Sequence, residues 1–291
     1  MIGLHQIAWG ELHHAYGPAV DVPGHLRALR SPDPAVRGHA LNALSISVCH
    51  QGTRWEVSPA VIPFLVALID DPRTPARGDL LHLLTSITVG TRRDDDLPFD
   101  PARQFAATGL LDGRDTTALV NRFHLGDDEY TDEETTLLDA VAVGWAADCY
   151  RRCAGFAPTI SRWTGDPDDE VAARAAALTA WFPSDPATVT TWLTVPAGRE
   201  QPRSSANLAL AHCPTQDTAV DAALRDMTVT GSDLVAVTAA VAVAYRKGPE
   251  IDPSALGTLI DASEQESLRD VTGWNRATRG FVMRALRHTG L

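Results

Sequence analysis

Lysine is almost missing from this chain: Lys247 stands alone among 25 basic residues, against 37 aspartates and glutamates, for a net charge of −12. With a pI of about 5.2, such a chain neutralises few phosphates, so nucleic acid is not an expected partner. Cysteine is scarce as well. Cys49, Cys149, Cys153 and Cys213 show no Cys-x-x-Cys spacing, which argues against a disulfide framework and for a reducing, cytoplasmic setting. Cys149 and Cys153 are four apart on one helical face, but no second Cys or His pair completes a zinc set, and they read as small buried hydrophobes. No run of about 18 uncharged apolar residues occurs, and the first residues lack the basic stretch of a signal peptide, so neither a membrane span nor a leader is expected. The Gly-rich phosphate loop, a Gly-x-Ser-x-Gly elbow around Ser204-Ser205 and the His-Glu-x-x-His zinc motif are all absent. Neither a cofactor nor a metal is expected, and no catalytic residue is legible.

What is present suits a soluble globular chain: 291 residues, 44% hydrophobic and 21% charged, with a mean hydropathy of −0.10. The strongest internal signal is a duplication. Residues 21–48 and 61–88 carry one helical hairpin twice at a spacing of about forty residues. Pro23 returns as Pro63, Leu29 as Ile69, Arg37-Gly38 as Arg77-Gly78, Leu41 as Leu81 and Leu44 as Leu84. Such a unit cannot bury its apolar face alone and has to stack on a neighbour. Helix starts with a capping side chain followed by proline recur at Asp33-Pro34, Ser58-Pro59, Thr74-Pro75, Asp185-Pro186 and Asp252-Pro253. Thr131 to Glu134 forms a capping box before an apolar stripe at helical spacing. Strand-like alternation is nowhere sustained, and the Val-rich 234–243 run, capped by Gly231-Ser232-Asp233, reads as helix. Further hairpins are expected over 158–164 with 168–182, 186–195 with 202–212, 218–229 with 233–245, and 253–263 with 274–288.

On these motifs the chain resembles the HEAT-repeat family, whose units carry an Asp or Pro in the turn and an Arg early in the second helix, as at Asp33-Pro34 with Arg37 and Asp166-Pro167 with Arg174. The resemblance implies an all-α superhelix, an armadillo-like solenoid of roughly six hairpins in one domain over 1–291, interrupted by an acidic insertion at 93–134. It also implies that Arg37, Arg77 and Arg174 belong to a structural Asp–Arg ladder between successive turns. The His14-Ala-Tyr-Gly-Pro-Ala and His50-Gln-Gly-Thr segments look like those of a group of actinobacterial HEAT-repeat proteins, some of which sit beside toxin genes. The wealth of Ala, Asp, Arg and Val hints at the same source. A protein-binding scaffold follows as the expected function, of an immunity or regulatory kind. The alternative is an enzyme on the same scaffold, resembling a DNA glycosylase-like self-resistance factor or a natural-product biosynthetic enzyme.

Two areas stand out as candidate contacts. The segments before and after the first hairpin place His14, Tyr16, His50, Gln51, Thr53 and Trp55 at its two neighbouring ends, where they serve either as a cap on the array or as a binding cluster. The 93–134 insertion holds twelve acidic residues against four arginines, a net −8. Its blocks, including Asp94, Asp95, Asp96, Asp127 and Asp128, are expected to project, either as solvated surface or as an arm steering a basic protein partner. The last helix collects Arg276, Arg279, Arg284 and Arg287 on one face, read as a polar cap or a docking face for a phosphate or acidic partner.

Overall fold

The computed structural model describes residues 3–126 and 129–291 and is helical almost throughout. Among the described residues the only strands are two antiparallel pairs of two-residue strands, so the all-α expectation holds at that level. No helix there is long and apolar enough to cross a membrane. The helices gather into two compact units, Met1–Thr91 with Asp100–Phe156, and Arg92–Phe99 with Ala157–Leu291.

The first unit contains β1 (His13–His14), β2 (Gly17–Pro18), α1 (Val22–Ala28), α2 (Pro34–Val48), β3 (Cys49–His50), β4 (Thr53–Arg54), α3 (Ser58–Asp70), α4 (Arg77–Val89), α5 (Pro101–Gln104), α6 (Thr117–His124) and α7 (Asp132–Ala154). The duplicated sequence forms the pairs α1/α2 and α3/α4. They are not identical: Pro23 opens α1, whereas its counterpart Pro63 lies inside α3, because the chain before it is already helical from Ser58. Ser58 does not cap its helix. Its buried hydroxyl instead accepts the Trp55 N–H and donates to the Val48 carbonyl, tying α3 to the end of α2. The start expected at Thr74-Pro75 is displaced to Arg77, behind Ala76 in a left-handed conformation. Val61, Ile62, Leu65, Leu68 and Ile69 of α3 are buried where it meets α4 and α7, each worth about 1.5–3 kcal/mol of apolar burial. The capping box of α7 forms as its sequence implies, with Thr131 Oγ accepting the Glu134 N–H and Glu134 accepting the Thr131 N–H. Cys149 and Cys153 on its inner face are buried, and burial pushes both thiols up, Cys153 to about 12, so they behave as the small hydrophobes the spacing suggested.

The second unit contains α8 (Ala157–Trp163), α9 (Asp169–Thr179), α10 (Pro186–Leu193), α11 (Glu200–Ala211), α12 (Thr218–Thr230), α13 (Asp233–Lys247), α14 (Pro253–Glu264) and α15 (Thr278–Thr289). Residues 234–243 are helical within α13. Asp185 and Asp252 cap α10 and α14 as expected, accepting the Thr188 and Ala255 N–H groups at 2.7 and 3.0 Å. The alanines of α9 lack the bulk to hold the facing helix away, so α11 packs closely on it and on α13.

A polar thread runs through this core. Arg203 Nη1 donates to the Leu193 and Val195 carbonyls at 3.2 and 3.1 Å, and its Nε donates to Asn207. Asn207 Nδ2 reaches the Val235 carbonyl and Thr238, while Ser205 Oγ bonds the Ala173 carbonyl and accepts Trp274 Nε1–H. Burial alone draws the Arg203 guanidinium down to about 10.

Arg37 Nη1 donates to the Ser31 and Pro32 carbonyls and Arg77 Nη1 to the Ile69 carbonyl, each closing its own hairpin turn. Arg174 pairs with Glu170 on its own helix, and Arg203 closes the α10/α11 turn in the second unit. Ion pairs join successive turns at Arg30 with Asp71 and at Arg199 with Asp169.

The expectation that 93–134 projects is overturned for its acidic start. Asp94 is buried between Arg276, whose Nε lies 2.8 Å from both carboxylate oxygens, and Arg284 at 3.7 Å; Asp95 pairs with the same two arginines. The acidic block and the basic final segment therefore neutralise one another inside the second unit. Asp96 is half-buried, and Asp127 and Asp128 lie outside the described residues. Later in the segment Phe105 is buried against Tyr150 at 5.7 Å, and Arg114 and Arg122 pair with Glu133 and Glu134. Burial of these anchors outweighs the mutual repulsion that a one-dimensional charge count emphasises.

Replacing Arg203 by Ala leaves two turn carbonyls and Asn207 without their donor in the core, and is expected to cost about 2–4 kcal/mol in urea unfolding. Arg151→Ala, which removes only an exposed pair with Asp148, should stay within about 0.5 kcal/mol.

Candidate functional site

Two clusters of polar and aromatic side chains remain after the helices are packed, one in each unit. In the first unit, β1 and β2 form a tight hairpin in which His13 faces Pro18 and His14 faces Gly17. Side chains alternate across a strand, so the adjacent histidines part. His14 is buried; its Nδ1 accepts the Tyr16 N–H at 3.0 Å, which leaves Nε2–H to donate to Asp21 at 3.0 Å. Burial by itself would raise the Asp21 carboxyl, but the His14 hydrogen bond and charge outweigh it and hold it below its ordinary range.

The second two-strand pair presents the opposite wall. Gln51 and Gly52 turn with φ of 49° and 82°, the signature of a type I′ turn, and a side chain at Gly52 would collide with Thr91. This turn holds His50 so that Nδ1 lies 3.3 Å from the Tyr16 hydroxyl, with the rings edge to face at 5.5 Å. Tyr16 is 63% exposed yet fixed at both ends. Of the residues marked in the sequence, His14, Tyr16 and His50 thus come together, while Gln51 and Thr53 are exposed in the turn and its outgoing strand.

Trp55 goes elsewhere. It stacks on Phe123 at 5.8 Å and on Trp145 at 6.1 Å, and Trp145 in turn stacks on His124. His124 lies face to face with His13 at 3.9 Å, and Glu56 closes the group, its Oε2 lying 3.4 Å from His13 Nδ1 and 3.8 Å from His124 Nε2. No spacing in the sequence marks His13, Glu56 and His124 as a set, because they arrive on a strand, a loop and a helix end up to 111 residues apart in number. The aromatic content around Trp55, Phe123 and Trp145 was the only available hint. Beside the group a cavity of about 570 Å3 opens over Glu56, Asp148, Arg151 and Arg152.

The second unit encloses a smaller cavity of about 300 Å3, lined among others by His212, Asp221, Tyr245, Arg246, Arg284 and His288. Arg246 clamps the turn after α11 through the Cys213 and Thr215 carbonyls and pairs with Asp221 at 2.7 Å. Burial would raise Asp221, but its bonds to Lys247 and Arg246 hold it low. Tyr245 lies between His212, with which it packs edge to face at 5.3 Å, and His288, on which it stacks at 4.7 Å. Neither the Tyr245 hydroxyl nor His212 Nε2 has a hydrogen-bond partner, although both atoms are buried. Burial pushes the Tyr245 phenol up, with the Asp94 charge adding to it. Burial, then the His288 and Arg276 charges, draw His212 down to about 4. At neutral pH the cavity therefore presents a neutral imidazole and a neutral phenol beside paired guanidinium groups.

A histidine held at about 4 in the folded chain takes up no proton where the unfolded chain, near 6.5, already does. Its contribution to stability is full above about pH 6.5 and is lost as the pH falls toward 4, in the same direction as for His124 and His288. Urea midpoints measured from pH 7 to 4 should fall, and His212→Gln should make that slope shallower by about one proton.

Comparison with protein-family models, with curated proteins and with solved structures finds no match to this chain.

Proposed function

We propose that the chain is a helical-repeat binding protein of HEAT type, an α-solenoid whose work is to hold a protein partner, as an immunity-type or regulatory module. The forty-residue duplication supports the repeat reading, together with Arg37 and Arg77, each of which donates to a carbonyl near the turn of its own hairpin. The observation that carries the binding reading is Tyr16, a largely exposed aromatic ring fixed by His14 at its backbone and His50 at its hydroxyl. A pre-positioned tyrosine loses little conformational freedom on contact and belongs to the residue types that dominate interface energies. The net charge of −12 favours a basic partner through long-range attraction, although Asp94 and Asp95 are already paired within the chain and contribute little to it.

A second reading, an enzyme on the same scaffold, is supported by the second unit's cavity, whose unpartnered His212 Nε2 and Tyr245 hydroxyl are groups suited to orienting or protonating a small substrate.

The two readings separate in one experiment. Cross-linking and affinity purification from the source cells should recover a partner with the unmodified chain and at least about tenfold less with Tyr16→Ala. Recovery should weaken with salt and be unaffected by His212→Gln with Tyr245→Phe. Undiminished recovery with Tyr16→Ala removes the first unit's edge as the contact. Loss of recovery only with the His212/Tyr245 variant moves the function to the cavity.

A further inference from the structure

Three groups with metal-ligand chemistry meet in the first unit, and the protein-binding reading uses none of them. His13 Nδ1, Glu56 Oε2 and His124 Nε2 all lie within 4.8 Å of one another, the only such His, Cys, Asp and Glu grouping among the described residues. We propose that His13, Glu56 and His124 form a binding site for one divalent transition-metal ion of the zinc class.

The first support is an unmet requirement. The His124 side chain is 5% exposed, and its Nε2, like His13 Nδ1, is buried without a hydrogen-bond partner. Each buried nitrogen left so costs about 1–3 kcal/mol, and a single ion in front of both removes the two costs together. The carboxylate distances of 3.4 and 3.8 Å are close to the spacing of two ligands that each stand about 2.1 Å from a tetrahedral zinc.

The second support is the orientation of the carboxylate. Glu56 Oε2 accepts the His13 backbone N–H at 3.1 Å, and the Val57 N–H bonds the His13 carbonyl. These bonds lock the loop before α3 against β1, so Glu56 is aimed before any ligand arrives, as the outer partners of metal ligands commonly achieve. Trp55, Phe123 and Trp145 wall the inner side with apolar surface, and the cavity over Glu56 gives an ion and its water a way in from the other.

Two imidazoles and one carboxylate with a fourth position left for water is a donor set that zinc takes in sites of hydrolytic type, and ferrous iron takes in another geometry. The rings of His13 and His124 are nearly parallel, with 9° between their planes, and a shared ion requires one of them to rotate about its Cβ–Cγ bond. His13 has the space to do so, being about a quarter exposed at the side chain.

The test uses the full chain, stripped with a chelator and dialysed. Titration with Zn2+ by calorimetry should show one equivalent bound with micromolar or tighter affinity. Co2+ in its place should give the intense visible absorption of a four-coordinate site. Glu56→Gln and His124→Gln should each weaken Zn2+ binding by roughly 100-fold, with His39→Gln as the unaffected control. Because His124 is buried, its variant is also read by the zinc-induced rise in Tm, which reports binding separately from any loss of stability in the metal-free chain. A zinc increment that vanishes in both variants and persists in His39→Gln supports the site. Absence of Zn2+ binding to the unmodified chain at 100-fold excess, or an increment unchanged in Glu56→Gln, overturns it.

Discussion

A helix that ends in a tight turn leaves its last carbonyls without partners, and every hairpin of a helical array repeats that cost. Here a guanidinium from early in the second helix meets it: Arg37 for the α1/α2 turn, Arg77 for α3/α4 and Arg203 for α10/α11. Arg246, from the end of α13, does the same for the turn after α11. Arginine suits the task because its planar fork offers several donors and remains charged where a lysine would lose its proton on burial. The near absence of lysine fits a chain whose cations have structural work of this kind. Once the turns are closed, the apolar faces of α3, α4 and α7 in the first unit, and of α9, α11 and α13 in the second, meet.

The same logic explains why the most conspicuous charges are the least available. Asp94 and Asp95 look like a free acidic block and Arg276 and Arg284 like a free basic face, yet they pair with one another. A buried carboxylate between two guanidinium groups is far more costly to break than to form in place. Among the buried polar atoms left without a hydrogen-bond partner are some flanked by aromatic rings: His13 and His124 in the first unit, His212 and Tyr245 in the second. Such groups are where a ligand gains most, since it supplies a partner that the chain itself does not.

Much of the helical framework is legible in the residue order because it rests on local causes. Cap-Pro pairs at Asp33, Asp185 and Asp252, the capping box at Thr131 and the Ser232 start of α13 all act within one turn of helix, and a turn of helix is readable in sequence. At Ser58 a tertiary partner overrode the local signal, since its hydroxyl joins Trp55 to Val48, and Pro63 lies inside a helix that already runs from Ser58. Likewise His14, Tyr16 and His50 were placed together correctly because they flank one short hairpin, whereas Trp55, from the same stretch, was drawn to Phe123 and Trp145 on distant helices.

The sequence by itself determined the helices, most of their ends and the duplicated hairpin, since propensity, capping and apolar period are properties of neighbours along the chain. Only the tertiary structure decided which charges cancel and which donors converge. His13, Glu56 and His124 share no spacing, and Asp94 meets Arg276 across 182 residues of sequence. Contacts of that kind are set by how whole helices pack, and packing depends on the summed burial of many side chains, of which no single stretch of sequence carries the record.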